Sequence, residues 1–242
     1  MKDLEFENRN KNNIKQMNKD LPLKKLTRKW FDSSFPYEYS YHFTWLGLPI
    51  IQYPQDMIAI QEIIWKTKPD LIIESGIARG GSLIFSSSIL EMLGHGKVLG
   101  IDIDIRKHNK IAIQNHPLFK RIKMIEGSSV DPKTIKKVKS FAKNKKKILL
   151  LLDSKHTHEH VLNELRSYSS LVNKGGNIIV FDTMVEDMPK NSFPDRPWDK
   201  ENNPKTAVKE FLKENKRFKI DKDIEDKLLI TSCPSGYLKC IK

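Results

Sequence analysis

The 242-residue chain carries only two cysteines, Cys233 and Cys240, close together near its end. That is too few for a disulfide framework and too widely spaced for a metal cluster, so both read as ordinary reduced thiols. No apolar stretch approaches the roughly 20 residues that cross a bilayer. The longest aliphatic run, Ile148–Leu152, has the length of a buried strand. Residues 1–13 are polar and charged, without the apolar core of a signal peptide. The sequence therefore reads as cytoplasmic, with no membrane span. No internal repeat is visible.

What is present is charge and a sizeable apolar fraction. Hydrophobic residues make up 38% of the chain, enough for one large α/β domain with extensions. The formal net charge is +13, and two segments account for it. Residues 1–29 are rich in Lys, Arg and Asn and lack periodicity, which predicts a flexible basic segment with poor order over 1–20. Residues 133–147 hold eight lysines and no acid. Such a balance suits anionic partners, but a solvated helix face plus a loose basic tail accounts for it better, and no nucleic-acid motif accompanies it.

Residues 30–53 crowd aromatics together: Trp30, Phe31, Phe35, Tyr37, Tyr39, Tyr41, Phe43, Trp45 and Tyr53. They predict a cap packed on the domain or a wall of a substrate pocket. From Pro54 to the end, the main domain of residues 54–242 alternates regularly. Pro54 suits a first helical turn, and Met57, Ile58, Ile60, Ile63 and Ile64 give an apolar face. Short aliphatic strands follow at Leu71–Glu74, Val98–Asp102, Ile122–Glu126, Ile148–Asp153 and Asn177–Asp182, with helices between them. A helix from Pro204 to about Lys216 is capped by Asn203. Lys227–Thr231 and Gly236–Ile241 read as an antiparallel C-terminal hairpin. The pattern is α/β: a doubly wound, mostly parallel sheet.

In such sheets a ligand sits beyond the carboxyl ends of the strands. The first of those ends reads Glu74-Ser75-Gly76-Ile77-Ala78-Arg79-Gly80-Gly81-Ser82. Glycines permit close approach of a ligand, and the next helix N-terminus favours an anion, with Ser82 as a further donor. The spacing E-x-G-x-x-x-G-x-S is not the dinucleotide G-x-G-x-x-G, which argues against a nicotinamide-dependent oxidoreductase on the same fold. Asp102 ends the second strand, where a carboxylate can hold ribose hydroxyls. Ser128, after Gly127, is small enough to leave room for a base. Asp153 and Asp182 end central strands, and two convergent carboxylates can hold Mg²⁺, with Thr183 or Asp187 as a further ligand. His156 is placed to be a general base. His158 and His160 read as surface residues.

Several of these stretches together resemble the cephalosporin hydroxylase family, which includes rhamnosyl O-methyltransferases. The resemblance covers about residues 42–242. It rests on Trp45-Leu46-Gly47-Leu48-Pro49, Gln52-x-Pro54-x-Asp56, the Glu74–Ser82 loop, Gly100-Ile101-Asp102-Ile103-Asp104 and Asp153-Ser154-Lys155-His156-Thr157-His158. Phe181-Asp182-Thr183, Asn203-Pro204-Lys205-Thr206-Ala207-Val208 and Gly236-Tyr237-Leu238-Lys239 complete it.

The resemblance implies a Rossmann-like class I methyltransferase fold, S-adenosylmethionine as cofactor, Mg²⁺ assistance and a homo-oligomer. It implies methyl transfer to a hydroxyl of a small molecule or glycan. By that resemblance Asp153 and Asp182 would be metal ligands and His156 the base. With the residues read above, the candidate cofactor set is Glu74, Gly76, Gly80, Ser82, Asp102 and Ser128, the candidate metal set Asp153, Asp182 and Thr183, and the candidate catalytic pair His156 and Asp153. This chain departs from the family in having Phe181 where a glutamate is usual, and Ser154 where a second acid is usual. A basic nucleic-acid-binding protein is the rival reading of the charge.

Overall fold

The computed structural model describes residues 3–242. Met1 and Lys2, the first residues of the expected flexible segment, lie outside the described residues.

The N-terminal segment is helical, contrary to the disorder expected over residues 1–20. Helices α1 (Leu4–Lys19) and α2 (Leu21–Ser34) start at Asp3 and Asp20, whose side chains accept from the backbone amides of Phe6 and Leu23. These caps supply the local signal that the apolar pattern does not. α1 buries no residue, whereas α2 buries Phe31. Two short 3₁₀ turns lead to a small hairpin, β1 (Phe43–Trp45) and β2 (Leu48–Ile50).

The alternating unit follows: α3 (Pro54–Thr67), β3 (Leu71–Ser75), α4 (Gly81–Leu93), β4 (Lys97–Asp102), α5 (Lys107–Gln114), β5 (Ile122–Glu126), α6 (Pro132–Ala142), β6 (Ile148–Leu152), α7 (His158–Tyr168), β7 (Asn177–Val180), α8 (Pro204–Glu214), β8 (Phe218–Ile220) and β9 (Tyr237–Cys240). The seven-stranded sheet has the order β5-β4-β3-β6-β7-β9-β8. β3 to β7 are parallel, and β9 runs antiparallel to both neighbours. This is the doubly wound, mostly parallel sheet expected.

Its central strands are aliphatic because both faces are covered. One apolar layer is built from α3, α4 and α5, with Ile64, Leu83 and Ile113. The other is built from α6, α7 and α8, with Val138, Leu165 and Phe211.

The expected C-terminal hairpin is corrected in one arm. β9 pairs with β8 at Phe218↔Cys240 and Ile220↔Leu238, not with residues 227–231. Asp56, fully buried on α3, accounts for the change. It accepts from the Ser232 amide (2.8 Å), the Tyr237 hydroxyl (2.6 Å) and the hydroxyls of Thr231 and Ser232. Those bonds pull residues 231–232 onto α3 and away from the sheet. Among the described residues no helix is long and apolar enough to cross a membrane.

Candidate active site

The carboxyl ends of β3 to β7 open into a cavity of about 1150 Å³. Gly76, Asp102, Ser128, Asp153, His156 and Asp182 line its floor, contributed by the tips and loops of five strands, with Asp153 and His156 sharing the loop after β6. Its roof comes from residues 35–36, 38–41, 51–53 and 192–198. The aromatic segment packs on the domain and also lines this cavity. Phe31 and Tyr53 pack with Met184 and Met188, while Phe35, Tyr39, Tyr41 and Tyr53 face the cavity. Burial, followed by the nearby Asp182 and Asp56 charges, raises the Tyr53 phenol to about 12, so it stays neutral.

The glycine turn is held against the second strand. Asp102 accepts from the amides of Ile77 (2.8 Å), Ala78 (3.3 Å) and Asp104 (3.1 Å). Gly76 has φ +92°, and a Cβ there would lie 1.9 Å from the Asp153 carbonyl oxygen. Only glycine lets β3 and β6 approach this closely.

Three residues of the expected cofactor set do not face the cavity, which corrects their assignment to direct contact. Gly80 has φ +87°, and a Cβ there would meet the Ile113 side chain at 2.5 Å, so it packs the turn on α5. The Ser82 hydroxyl donates to Glu74 instead of pointing outward. Glu74 is fully buried beneath the floor, with Oε2 unpartnered among the described residues. Burial raises its carboxyl to about 7, and the Ser82 bond only partly opposes that.

At the centre, ligand atoms of Asp153, His156 and Asp182 lie within 4.8 Å of one another. His156 Nε2 is 3.2 Å from Asp182 Oδ2. The Gln52 side-chain amide donates to Asp153 Oδ2 at 3.0 Å. Burial, and then the charges of Asp182, Glu74 and Glu164, hold the Asp153 carboxyl well above the usual range. No lysine or arginine pairs with Asp153 or Asp182 among the described residues. Asp182 has φ 51°, a left-handed conformation that costs energy in a residue other than glycine. The ring of Trp198, on the loop after β7, stands perpendicular to His156 with centroids 4.8 Å apart.

Thr183 is not part of this cluster, a second correction. It is fully buried and its hydroxyl donates to the Pro234 carbonyl at 2.8 Å. Asp187 is paired with Lys205. Phe181 sits in the apolar layer, so the position offers no ligand. The third group beside the two carboxylates is His156. The reading of His158 and His160 as surface residues is also corrected. His158 Nδ1 is 2.8 Å from Thr206 Oγ1, bridging α7 and α8. His160 lines the cavity and joins a buried network with Ser129, Ser154 and Glu164.

Sequence reasoning missed Gln52, Trp198 and the network around His160. Gln52 stood in a quoted motif without a role. Trp198 lies in an aperiodic loop that carried no signal.

A family model described as Rhamnosyl O-methyltransferase/CmcI matches residues 37–241. A rhamnosyl O-methyltransferase of Mycobacterium leprae (strain TN) is 30% identical over 164 residues, covering 66% of this chain and 68% of that protein. One of Mycobacterium tuberculosis (strain ATCC 25618 / H37Rv) is 28% identical over 200 residues, covering 81% and 77%. Among solved structures, a CmcI structure described with Mg and SAM aligns with a TM-score of 0.58 at 17% identity, covering 84% of this chain and 78% of that one. At that identity the likeness concerns the fold.

Proposed function

The chain belongs to the rhamnosyl O-methyltransferase/CmcI family, and on that premise we propose that it transfers a methyl group from S-adenosylmethionine to a hydroxyl of a glycan or small molecule. The observation that carries this reading is the convergence of Asp153, His156 and Asp182 on the cavity floor, beside the Gly76 turn and Asp102.

The parts of the cofactor match the parts of that floor. The remaining lone pair on Asp102 Oδ1 suits a ribose hydroxyl, and Gly76 leaves room for the aminoacyl arm at the tip of β3. Ser128 stands where the base would lie. When bound, S-adenosylmethionine supplies a methyl already activated on a sulfonium sulfur. The residues must then align the acceptor oxygen with that carbon and remove one proton.

His156 removes it. Asp182 holds Nε2, which leaves Nδ1 to accept the hydroxyl proton as the C–S bond breaks and the O–CH₃ bond forms. The products are a methyl ether, S-adenosylhomocysteine and a protonated imidazole held beside the Asp182 carboxylate. Trp198 fixes the ring plane.

The donor set also fits a divalent cation: two half-buried carboxylates that no lysine or arginine pairs among the described residues. Asp153 and Asp182 would hold it, and a bound Mg²⁺ would lower the pKa of the acceptor hydroxyl.

The roof suits a sugar. Tyr41, Phe193 and Trp198 offer apolar faces, and Glu38, Asp195 and Arg196 offer polar groups for hydroxyls. The relatives' name, rhamnosyl O-methyltransferase, supports the same acceptor class.

The test is incubation with methyl-labelled S-adenosylmethionine and a panel of deoxyhexosides. Label recovered as a sugar methyl ether is the expected result. Label recovered on nitrogen or carbon would overturn the reading.

A further inference from the structure

The catalytic proposal leaves one buried polar network unused. It runs along the inner side of α7, where His160, Glu164 and Tyr168 recur at helical spacing. Glu164 is fully buried. Its Oε1 accepts from the Ser154 hydroxyl at 2.8 Å. His160 Nε2 lies 3.1 Å from that Ser154 oxygen, 3.0 Å from Ser129 Oγ and 3.5 Å from Glu164 Oε1. The Tyr168 hydroxyl donates to the Ser129 carbonyl. The loop after β5 and the loop after β6 are therefore tied to one helix.

These bonds assign the histidine tautomer. A serine hydroxyl has one hydrogen, and that of Ser154 is given to Glu164. Toward His160 the same oxygen can only accept, so Nε2 carries the ring proton. Nδ1 is then a bare acceptor. It has no hydrogen-bond partner among the described residues, and the ring lines the cavity beside Ser128 and Ser129.

We infer that His160 reads the adenine of the cofactor, its Nδ1 accepting from the exocyclic amine. The assignment rests on the cofactor reading above, with ribose at Asp102 and the base one strand further on, at Ser128–Ser129. A donor-bearing purine edge is accepted there. A purine with a carbonyl in place of the amine meets lone pair against lone pair. Glu164 and Ser154 are positioning residues: they fix the proton on the inner nitrogen.

The test compares binding of S-adenosylhomocysteine with S-inosylhomocysteine, in which an oxo group replaces the amine, by calorimetry on the full chain. The wild type should prefer the adenosyl compound by on the order of tenfold, the usual scale for one hydrogen bond gained against one acceptor clash. His160→Ala should bind the two about equally. His160→Asn, which keeps a side-chain carbonyl acceptor, should retain part of the preference and carries the test if the alanine variant does not fold. A wild-type preference left unchanged by a folded variant would overturn the role of His160 while leaving the cofactor reading intact. Wild-type protein that binds neither thioether would overturn both.

Discussion

His156 Nε2 lies 3.2 Å from Asp182 Oδ2, and this pair joins the loop after β6 to the tip of β7. The carboxylate orients the imidazole, as a general base requires of a neighbour. His156→Ala should lower kcat by about 10²- to 10⁴-fold, the usual contribution of a positioned base. Binding of S-adenosylhomocysteine, followed by calorimetry, should stay within a few-fold of wild type. A variant that loses both together would place His156 in the cofactor site instead.

Trp198 should act on turnover through that histidine. Its ring stands perpendicular to His156 at 4.8 Å. Trp198→Ala frees the imidazole and removes an apolar wall from the roof, so kcat should fall and the acceptor KM should rise. Trp198→Phe keeps the edge contact and should recover most of kcat. Steady-state kinetics on the two variants checks both statements.

Glu74 gives a pH prediction with a defined sign. Burial raises its carboxyl from 4.5 to about 7 in the folded chain. Below about 4.5 the group is protonated in both states and costs nothing. Between 4.5 and about 7 the unfolded chain ionises and the folded chain does not, so stability falls as pH rises. Above about 7 the full cost remains, on the order of 3 kcal/mol for such a shift. Glu74→Gln should therefore flatten this fall. Urea unfolding of both proteins at pH 5 and pH 7.5 measures it, and parallel pH dependences would contradict the burial argument.

Asp56 is a matter of stability alone. Its buried carboxylate collects donors from Thr231, Ser232 and Tyr237, fastening the C-terminal strand to α3. Asp56→Ala leaves those donors unsatisfied and should cost about 1–3 kcal/mol for each buried donor that finds no new partner. Denaturant unfolding reads that loss directly.

Much of this architecture was legible in the sequence, and the misses have physical causes. β6 was evident because Ile148–Leu152 is buried on both faces. Asn203 announced α8 through its cap, which the structure completes as a capping box with Thr206. β8 was missed because Phe218–Ile220 is three residues long with a lysine at its centre. Residues 227–231 looked like a strand, but Asp56 captures Thr231 and Ser232 from 175 positions away in the chain. No local pattern records such a bond. The same reason hid His160, whose partners come from two loops and one helix. Asp102, Asp153 and Asp182 were legible because strand tips place polar residues at the ligand edge of any such sheet. Glu74, Gly80 and Ser82 were given contact roles because loop spacing records neither burial nor direction.

The most direct test of the central claim is calorimetric titration with S-adenosylhomocysteine, with and without Mg²⁺, beside Asp102→Ala and Asp153→Asn. The account predicts saturable one-site binding that Asp102→Ala abolishes, and a Mg²⁺ effect that Asp153→Asn removes. Absence of binding to the wild type under both conditions would contradict it, because the fold would then stand without the cofactor on which the proposed chemistry depends.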